Sequence, residues 1–160
     1  MAAAVVGALL TIAADFATLR SVTVITASCG DLADPATRGE CVTRGHEEHA
    51  YALVIIGLAA LVMAWGATTG RSRPAAIALA VLGAAVLVIA LATDVPDIHK
   101  TGPIGDRFES ARAEAGPGLW MELAGGVLLF VSGVISTAAG RGRRRRAERD
   151  RRRRRKRAAA

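Results

Sequence analysis

Aromatic residues are scarce in this chain of 160 residues: Phe, Trp and Tyr make up 4% of it, although 52% of the residues are hydrophobic. Cytosolic domains rarely combine so much apolar content with so few aromatic side chains and a mean hydropathy of +0.34. The composition therefore disfavours an ordinary cytosolic domain and excludes a chain that is disordered throughout. The length permits one compact unit.

Charged residues are missing from three long stretches of the chain. Residues 50–70 and 74–93 are uncharged, and residues 115–140 carry only Glu122. About 20 helical residues cross the ~30 Å hydrocarbon layer of a bilayer, and the alternation typical of a strand is absent from all three. We therefore predict an all-α membrane protein, a four-transmembrane-helix bundle. The predicted spans lie at about 1–19, 50–70, 74–93 and 117–139.

The first predicted span is the least regular, because Asp15 and Arg20 interrupt it. Either charge near mid-bilayer costs roughly 2.5–3.5 kcal/mol on insertion scales. A span that starts at Met1 places Arg20 among the outer headgroups and Asp15 one turn below, so we prefer this register. A cleaved secretory or lipoprotein signal is the alternative. It is disfavoured because no basic residues precede the apolar run, and because Thr26 stands where a lipoprotein signal would have leucine.

Cations are concentrated in two segments. Arg71 and Arg73 lie between the second and third spans, and 13 of the 21 Lys and Arg residues lie within 141–157. The positive-inside rule places both segments in the cytoplasm. We therefore expect a multi-pass protein of the plasma (inner) membrane with both termini cytoplasmic, and loops 19–49 and 94–118 facing outward.

The basic tail, residues 141–160, is predicted to be disordered or partly helical. It has no aromatic side chain to stack on bases, so nucleic acid is a disfavoured partner, bound only through its backbone. A polybasic run beside a membrane is typical of a segment that contacts anionic lipids, at about 1 kcal/mol per residue. The residues expected to contact inner-leaflet lipids are Arg141, Arg143, Arg144, Arg145, Arg146, Arg149, Arg151, Arg152, Arg153, Arg154, Arg155, Lys156 and Arg157.

The chain has only two cysteines, Cys29 and Cys41, and both fall in the first outward loop. A membrane thiol oxidase needs a Cys-x-x-Cys pair and a second thiol pair, and both are missing. A structural disulfide between Cys29 and Cys41 is the favoured interpretation, worth about 3 kcal/mol in the chain-entropy model.

A histidine-rich segment, His46-Glu47-Glu48-His49, directly precedes the second span. Two histidines three residues apart share a helix face, and His99 from the other outward loop offers a third ligand, so a metal site is one interpretation. The metalloprotease pattern His-Glu-x-x-His has a different spacing. We favour a polar helix start whose glutamates complement the helix dipole, and we predict neither a metal nor a cofactor.

Asp15 and Glu122 are the only carboxylates inside apolar segments. At about 1.5 Å per residue they lie about 21 Å and 27 Å from the inner ends of their spans, at similar depth. Intramembrane acids often mark ion or proton pathways. Both nevertheless lie near enough to the interface for their carboxylates to reach it, and the surroundings of Asp15 lack the pattern of small four-helix drug exporters. Structural or interfacial use is therefore favoured over transport.

Small residues recur at fourfold spacing, as in Ala76, Ala80 and Ala84. They let helix backbones approach closely in lipid. This pattern fits a compact bundle, a homo-oligomer and a membrane-protein partner equally well.

The residue usage, with 34 Ala, 19 Arg and 2 Lys, is typical of a GC-rich bacterial genome. Over nearly its whole length the chain resembles the small uncharacterised four-span membrane proteins of high-GC Gram-positive bacteria. This resemblance implies the architecture and no activity. The segments that carry it are Gly70-Arg71-Ser72-Arg73-Pro74, Asp94-Val95-Pro96-Asp97, Gly116-Pro117-Gly118-Leu119-Trp120 and Gly125-Gly126.

The favoured function is that of a non-enzymatic membrane protein with a structural or interaction role. Its disulfide-closed outer loop and lipid-contacting tail would mediate contacts. The alternative is a small ion- or proton-coupled transporter that uses Asp15 and Glu122. An enzyme is least favoured, because no nucleophile–base set converges in the sequence.

Overall fold

The computed structural model describes residues 2–24, 27–28, 41–69 and 72–158. Within these ranges the chain is mostly helical. The helices are α1 (Ala2–Phe16), α2 (Gly45–His49), α3 (Ala52–Thr69), α4 (Arg73–Ile89), α5 (Val95–Asp97), α6 (Gly102–Arg107) and α7 (Pro117–Ala158), and a π-helical turn (Ala90–Asp94) joins α4 to α5. The strands are β1 (Thr18–Val24), β2 (Ala27–Ser28), β3 (Val42–Arg44) and β4 (Ala111–Ala115).

The four long helices pack in a ring, in which α1 and α4 each contact both α3 and α7. Small residues allow their backbones to touch. A Cβ atom added to Gly83 of α4 would lie 2.8 Å from the Gly126 carbonyl oxygen of α7, and one added to Gly125 of α7 would lie 2.9 Å from the Gly7 carbonyl oxygen of α1. Gly133 of α7 packs in the same way on the backbone of Ala80, one of the small residues noted in the sequence. Van der Waals packing of this kind holds helices together in lipid.

Two of these helical stretches, Arg73–Asp97 and Pro117–Ala139, are long and apolar enough to cross a membrane. The apolar helices Ala2–Phe16 and Ala52–Ala67 are shorter. At about 1.5 Å per residue, the 15 residues of α1 measure about 22 Å, less than the ~30 Å hydrocarbon layer. The third and fourth predicted spans therefore have membrane length, and the first two do not reach it.

An antiparallel sheet lies at one end of the helix ring, so the prediction of an all-α fold is wrong there. Strand β1 is central, with β4 along one side and β3 and β2 along the other. Val22 and Val24 of β1 are buried together with Cys41 and Ile104, and this burial every second residue is typical of a strand. The first helix therefore ends at Phe16, short of the predicted span 1–19, and Arg20 lies on strand β1.

The helix ring has two ends, which differ in the elements found there. The sheet end is where α1 ends at Phe16 and α7 begins at Pro117, and the far end is where α1 begins at Ala2 and α3 ends at Thr69. The core towards the far end is an apolar cluster of small and branched side chains: Ala4, Ala8, Ala60, Ala64, Leu79 and Leu129. A second apolar layer lies closer to the sheet end and contains Ala14, Leu53 and Val86.

Candidate functional site

Four ionisable side chains from four separate elements are brought together inside the sheet end. Asp15 ends α1, His49 ends α2, Asp94 ends the π-helical turn and Glu122 lies in the second turn of α7. His49 Nε2 lies 3.3 Å from Asp94 Oδ1 and 4.0 Å from Glu122 Oε2. Asp15 is buried at the same end, where its backbone contacts Gly45 and His46 of the helix that carries His49. We call these four residues the acid–histidine cluster.

The cluster is buried. Asp15 and Glu122 are 0% exposed, Asp94 is 8% exposed, and the His49 side chain is 8% exposed. The carboxylates of Asp15 and Glu122 thus do not reach the surface. Of the structural and interfacial uses favoured from the sequence, this burial does not fit the interfacial one. Within the described residues, both oxygens of each of these two carboxylates lack a hydrogen-bond partner, as does Asp94 Oδ2. Leaving such groups unsatisfied costs about 1–3 kcal/mol each, and more when they are charged.

The electrostatic balance of the cluster is negative when its carboxylates are ionised, because three acids face one imidazole. In the described part of the chain, His49 is the only basic side chain at ion-pair distance from any of the three acids. The adjacent Asp94 carboxylate raises the pKa of His49 above its usual range, and the opposing influence of burial is weaker. The site therefore attracts positive charge, in the form of protons or a cation.

Helix α2 holds His49 in place by packing directly on the end of α1. A Cβ atom on Gly45 would lie 2.6 Å from the Ala14 carbonyl oxygen and 2.7 Å from Asp15 Cα, so only glycine fits. His46 Nδ1 lies 3.2 Å from the Asp15 carbonyl oxygen. The Arg44 amide donates to the Glu47 carboxylate at 3.0 Å. This capping contact agrees with the polar helix start expected from the sequence.

A sharp corner follows His49 and separates α2 from α3. Ala50 and Tyr51 both have left-handed backbone conformations, with φ of 48° and 66°. Residues other than glycine pay roughly 1–2 kcal/mol each there. The Tyr51 ring stacks on His46 with ring centres 5.6 Å apart. The corner lets the chain turn into α3 while His49 stays directed into the bundle.

Asp94 is the member of the cluster that the sequence analysis missed. It was assigned to the outward loop, because it is the first charged residue after twenty uncharged ones. The π-helical turn Ala90–Asp94 instead continues α4 and buries it. Thr93 Oγ1 lies 3.3 Å from Asp94 Oδ1 and donates to it. A single carboxylate at the exit of an apolar helix was the available signal, and π-helical turns occur frequently at functional sites.

A small cavity beside the cluster connects Asp94 to the surface at the sheet end. Arg20 crosses it: Nη1 donates to the Asp97 carbonyl oxygen at 2.9 Å, and Nη2 donates to Thr43 Oγ1 at 3.2 Å. The cavity is lined by Leu19, Arg20, Thr43, Glu48, Asp94, Asp97, Ile98 and Leu119.

The other candidate residues from the sequence lie apart from the cluster or outside the described residues. His99 is exposed in the turn after α5, so it does not join His46 and His49 in a metal site. Cys29 lies outside the described residues, whereas Cys41 is buried in the sheet core. The disulfide between them therefore stays a prediction. The backbone of the basic tail is helical as far as Ala158, but its side chains are outside the described part of the structure.

Compared with protein families, curated proteins and solved structures, the chain matches none.

Proposed function

We propose that the chain is a four-span integral membrane protein, in which α1 and α3 cross the membrane alongside α4 and α7, with the bilayer thinned around these two shorter helices. The support is the outward surface of the ring, where large apolar side chains are exposed on all four helices. A water-soluble bundle carries polar residues on that surface. The exposed residues include Val6 and Leu9 of α1, Ile55, Leu58 and Val62 of α3, Val81 and Val88 of α4, and Val127, Val131 and Ile135 of α7.

We propose further that this membrane protein is a binding protein, not an enzyme, and that it takes up a cation in the acid–histidine cluster at its outward end. One observation carries the proposal. Three buried carboxylates and one imidazole converge, while four carboxylate oxygens on Asp15 and Glu122 have no hydrogen-bond partner among the described residues. When the carboxylates are ionised, their burial costs several kcal/mol per charge unless a proton or a cation neutralises them. Polar groups of this kind inside a membrane bundle are functional by default.

The test is stabilisation by cations. A cation that binds only the folded state raises its stability by mass action, by about 2.7 kcal/mol at 100 times the Kd. The Tm of the full chain in detergent is measured by thermal unfolding, with Na⁺, K⁺, Mg²⁺ or Zn²⁺ added and, separately, at lowered pH. The same measurements are made on the double variant Asp94→Asn/Glu122→Gln. At least one cation should raise the Tm of the wild type and not that of the variant.

The matched control is Asp106→Asn/Glu109→Gln, which removes two exposed acids and should respond as the wild type does. If no cation, the proton included, distinguishes the wild type from the cluster variant, the cation-binding proposal is wrong.

Ion- or proton-coupled transport is the alternative use of Asp15 and Glu122. A transporter needs a route from the cluster to the other side of the bundle. Close-packed apolar side chains fill the far end, among them Ala8, Ala64 and Leu129, so binding is favoured. Reconstituted vesicles should show no cation or proton flux that depends on the protein. A flux abolished by Asp15→Ala/Glu122→Ala would favour the transporter.

The proposed orientation places the sheet end outside the cell and the basic tail in the cytoplasm, in contact with anionic lipids. In a variant without Cys29 and Cys41, a membrane-impermeant thiol reagent applied to intact cells should label Ser110→Cys and not Ser72→Cys. Labelling of Ser72→Cys from outside would reverse the orientation. A peptide of residues 141–157 should bind anionic vesicles and leave neutral ones unbound, more weakly as salt rises.

A further inference from the structure

The geometry points to a divalent transition-metal ion of the zinc class as the occupant of the acid–histidine cluster. We propose that His49 Nε2 and one carboxylate oxygen each from Asp94 and Glu122 bind it, with Asp15 as a nearby negative charge. This inference rests on the proposed cation-binding function and names the cation.

The three donor atoms are spaced as a small metal ion requires. They all lie within 4.8 Å of one another. In a tetrahedral zinc site with bonds of about 2.0–2.1 Å, neighbouring ligand atoms are about 3.3 Å apart. The His49–Asp94 distance is 3.3 Å. The His49–Glu122 distance of 4.0 Å would need to shorten by less than about 1 Å when a metal binds.

The donor types select the class of ion. Imidazole nitrogen suits zinc and its first-row neighbours, whereas Ca²⁺ and Mg²⁺ prefer six or more oxygen ligands. Two ionised carboxylates balance a 2+ charge, so metal binding removes most of the electrostatic cost of burying Asp94 and Glu122. Three protein ligands leave a fourth position open for water or another ligand.

The surroundings of the site meet the remaining requirements for metal binding. Asp94 also lines the small cavity that Arg20 crosses, so an ion entering there would pass the Arg20 guanidinium. Glu122 Oε1 and Oε2 are buried and accept no hydrogen bond from an N–H or O–H group among the described residues, so a metal ion would have to displace only a proton held between the Glu122 and Asp94 carboxyl groups. His49, Asp94 and Glu122 each come from a different element, so a metal would tie α2, α4 and α7 together.

The experiment measures Zn²⁺ binding to the full chain in detergent after removal of metal with a chelator. Calorimetric titration should give one Zn²⁺ per chain. His49→Gln and Glu122→Gln should each weaken binding by more than about 100-fold, since loss of a ligand should exceed the 10–100-fold cost of losing an outer-shell partner. His99→Gln is the matched control, because His99 is an exposed histidine away from the cluster, and it should bind as the wild type does.

A second measurement needs no substitution and so does not depend on the folding of a variant. Co²⁺ added to the metal-free wild type should give the intense visible absorption of a four-coordinate nitrogen–oxygen site, and Zn²⁺ should displace it. A weak spectrum typical of six-coordinate Co²⁺ would overturn the assignment.

The remaining outcomes separate this inference from the proposed function. Absence of stoichiometric Zn²⁺ binding, or binding that survives in both His49→Gln and Glu122→Gln, overturns the metal site. If protons or Na⁺ still stabilise the wild type and not Asp94→Asn/Glu122→Gln, the cation-binding function stands with a different occupant. If no cation distinguishes those two proteins, both are wrong.

Discussion

The two ends of the helix ring differ in the polarity of their buried side chains. At the far end, Ala4, Ala8 and Ala60 pack in a wholly apolar cluster. At the sheet end, Asp15 and Glu122 are equally buried but lack hydrogen-bond partners within the described residues. Helices α1 and α7 contribute to both regions. The far end adds α3 and α4, whereas the sheet end adds the short helix α2 and the π-helical turn. Packing stabilises the far end, whereas the sheet end retains a costly polar cluster that a purely structural bundle would not need.

The largest expected loss of stability comes from a substitution that breaks the close backbone contact between α4 and α7. Gly83→Val places side-chain atoms where Gly126 and Phe130 of α7 already lie. Overpacking of this kind should destabilise the bundle by about 3 kcal/mol or more, measured by thermal or denaturant unfolding in detergent. In Gly66→Ala the new Cβ meets only Ala75 Cβ, at 3.5 Å. This control should be neutral or stabilising by up to about 1 kcal/mol, and equal losses in the two variants would contradict the packing account.

A smaller effect is expected from Arg20, which ties the sheet to the end of α5. Arg20→Ala removes the hydrogen bonds to the Asp97 carbonyl oxygen and Thr43 Oγ1. We expect a loss of about 2 kcal/mol, because hydrogen bonds from a charged donor contribute about 1.5–3 kcal/mol. The matched control is Arg112→Ala, an exposed arginine on β4, which should stay within about 0.5 kcal/mol of the wild type. If the two variants unfold alike, Arg20 does not tie these elements.

The smallest effect is expected at the corner after His49. Ala50→Gly relieves a left-handed conformation, with φ of 48°, and should stabilise the protein by about 1 kcal/mol. Ala138→Gly, at an exposed position of α7, should instead destabilise it by about 1 kcal/mol, since glycine is a poor helix former. Opposite signs in the two unfolding measurements support the strained corner. A loss in Ala50→Gly would show that Ala50 is not held left-handed.

The sequence predicts two of the buried carboxylates of the site, but not the other members of the cluster. Asp15 and Glu122 were recognised as carboxylates within apolar helices at similar depth, and the structure brings them into one cluster. Asp94 was placed in a loop, because its burial depends on a π-helical turn that no hydropathy pattern signals. His49 is a candidate metal ligand in the sequence only with other histidines, since its contacts with Asp94 and Glu122, which lie far away in the chain, are not encoded in local spacing.

The sheet was missed for a related reason. Residues 18–24 follow α1 directly and are apolar enough to be read as the end of a span. Their burial every second residue only becomes clear once β1 pairs with β4, which lies about ninety residues later in the chain. Pairing between such distant segments is a tertiary property, so Arg20 was assigned to the lipid headgroups when it bonds Asp97 and Thr43.

The sequence by itself determined the apolar helices α3, α4 and α7 and supplied the small residues, but not which helices those residues bring together. A long run without charges has one stable form in an apolar environment, and glycine and alanine leave room for a neighbouring backbone wherever they fall. Only the tertiary structure decided the acid–histidine cluster. Its members come from positions 15, 49, 94 and 122, and they lie close together only because four elements meet at the sheet end. Local propensity acts over a few residues, whereas the balance of buried charge is set by every element that packs around it.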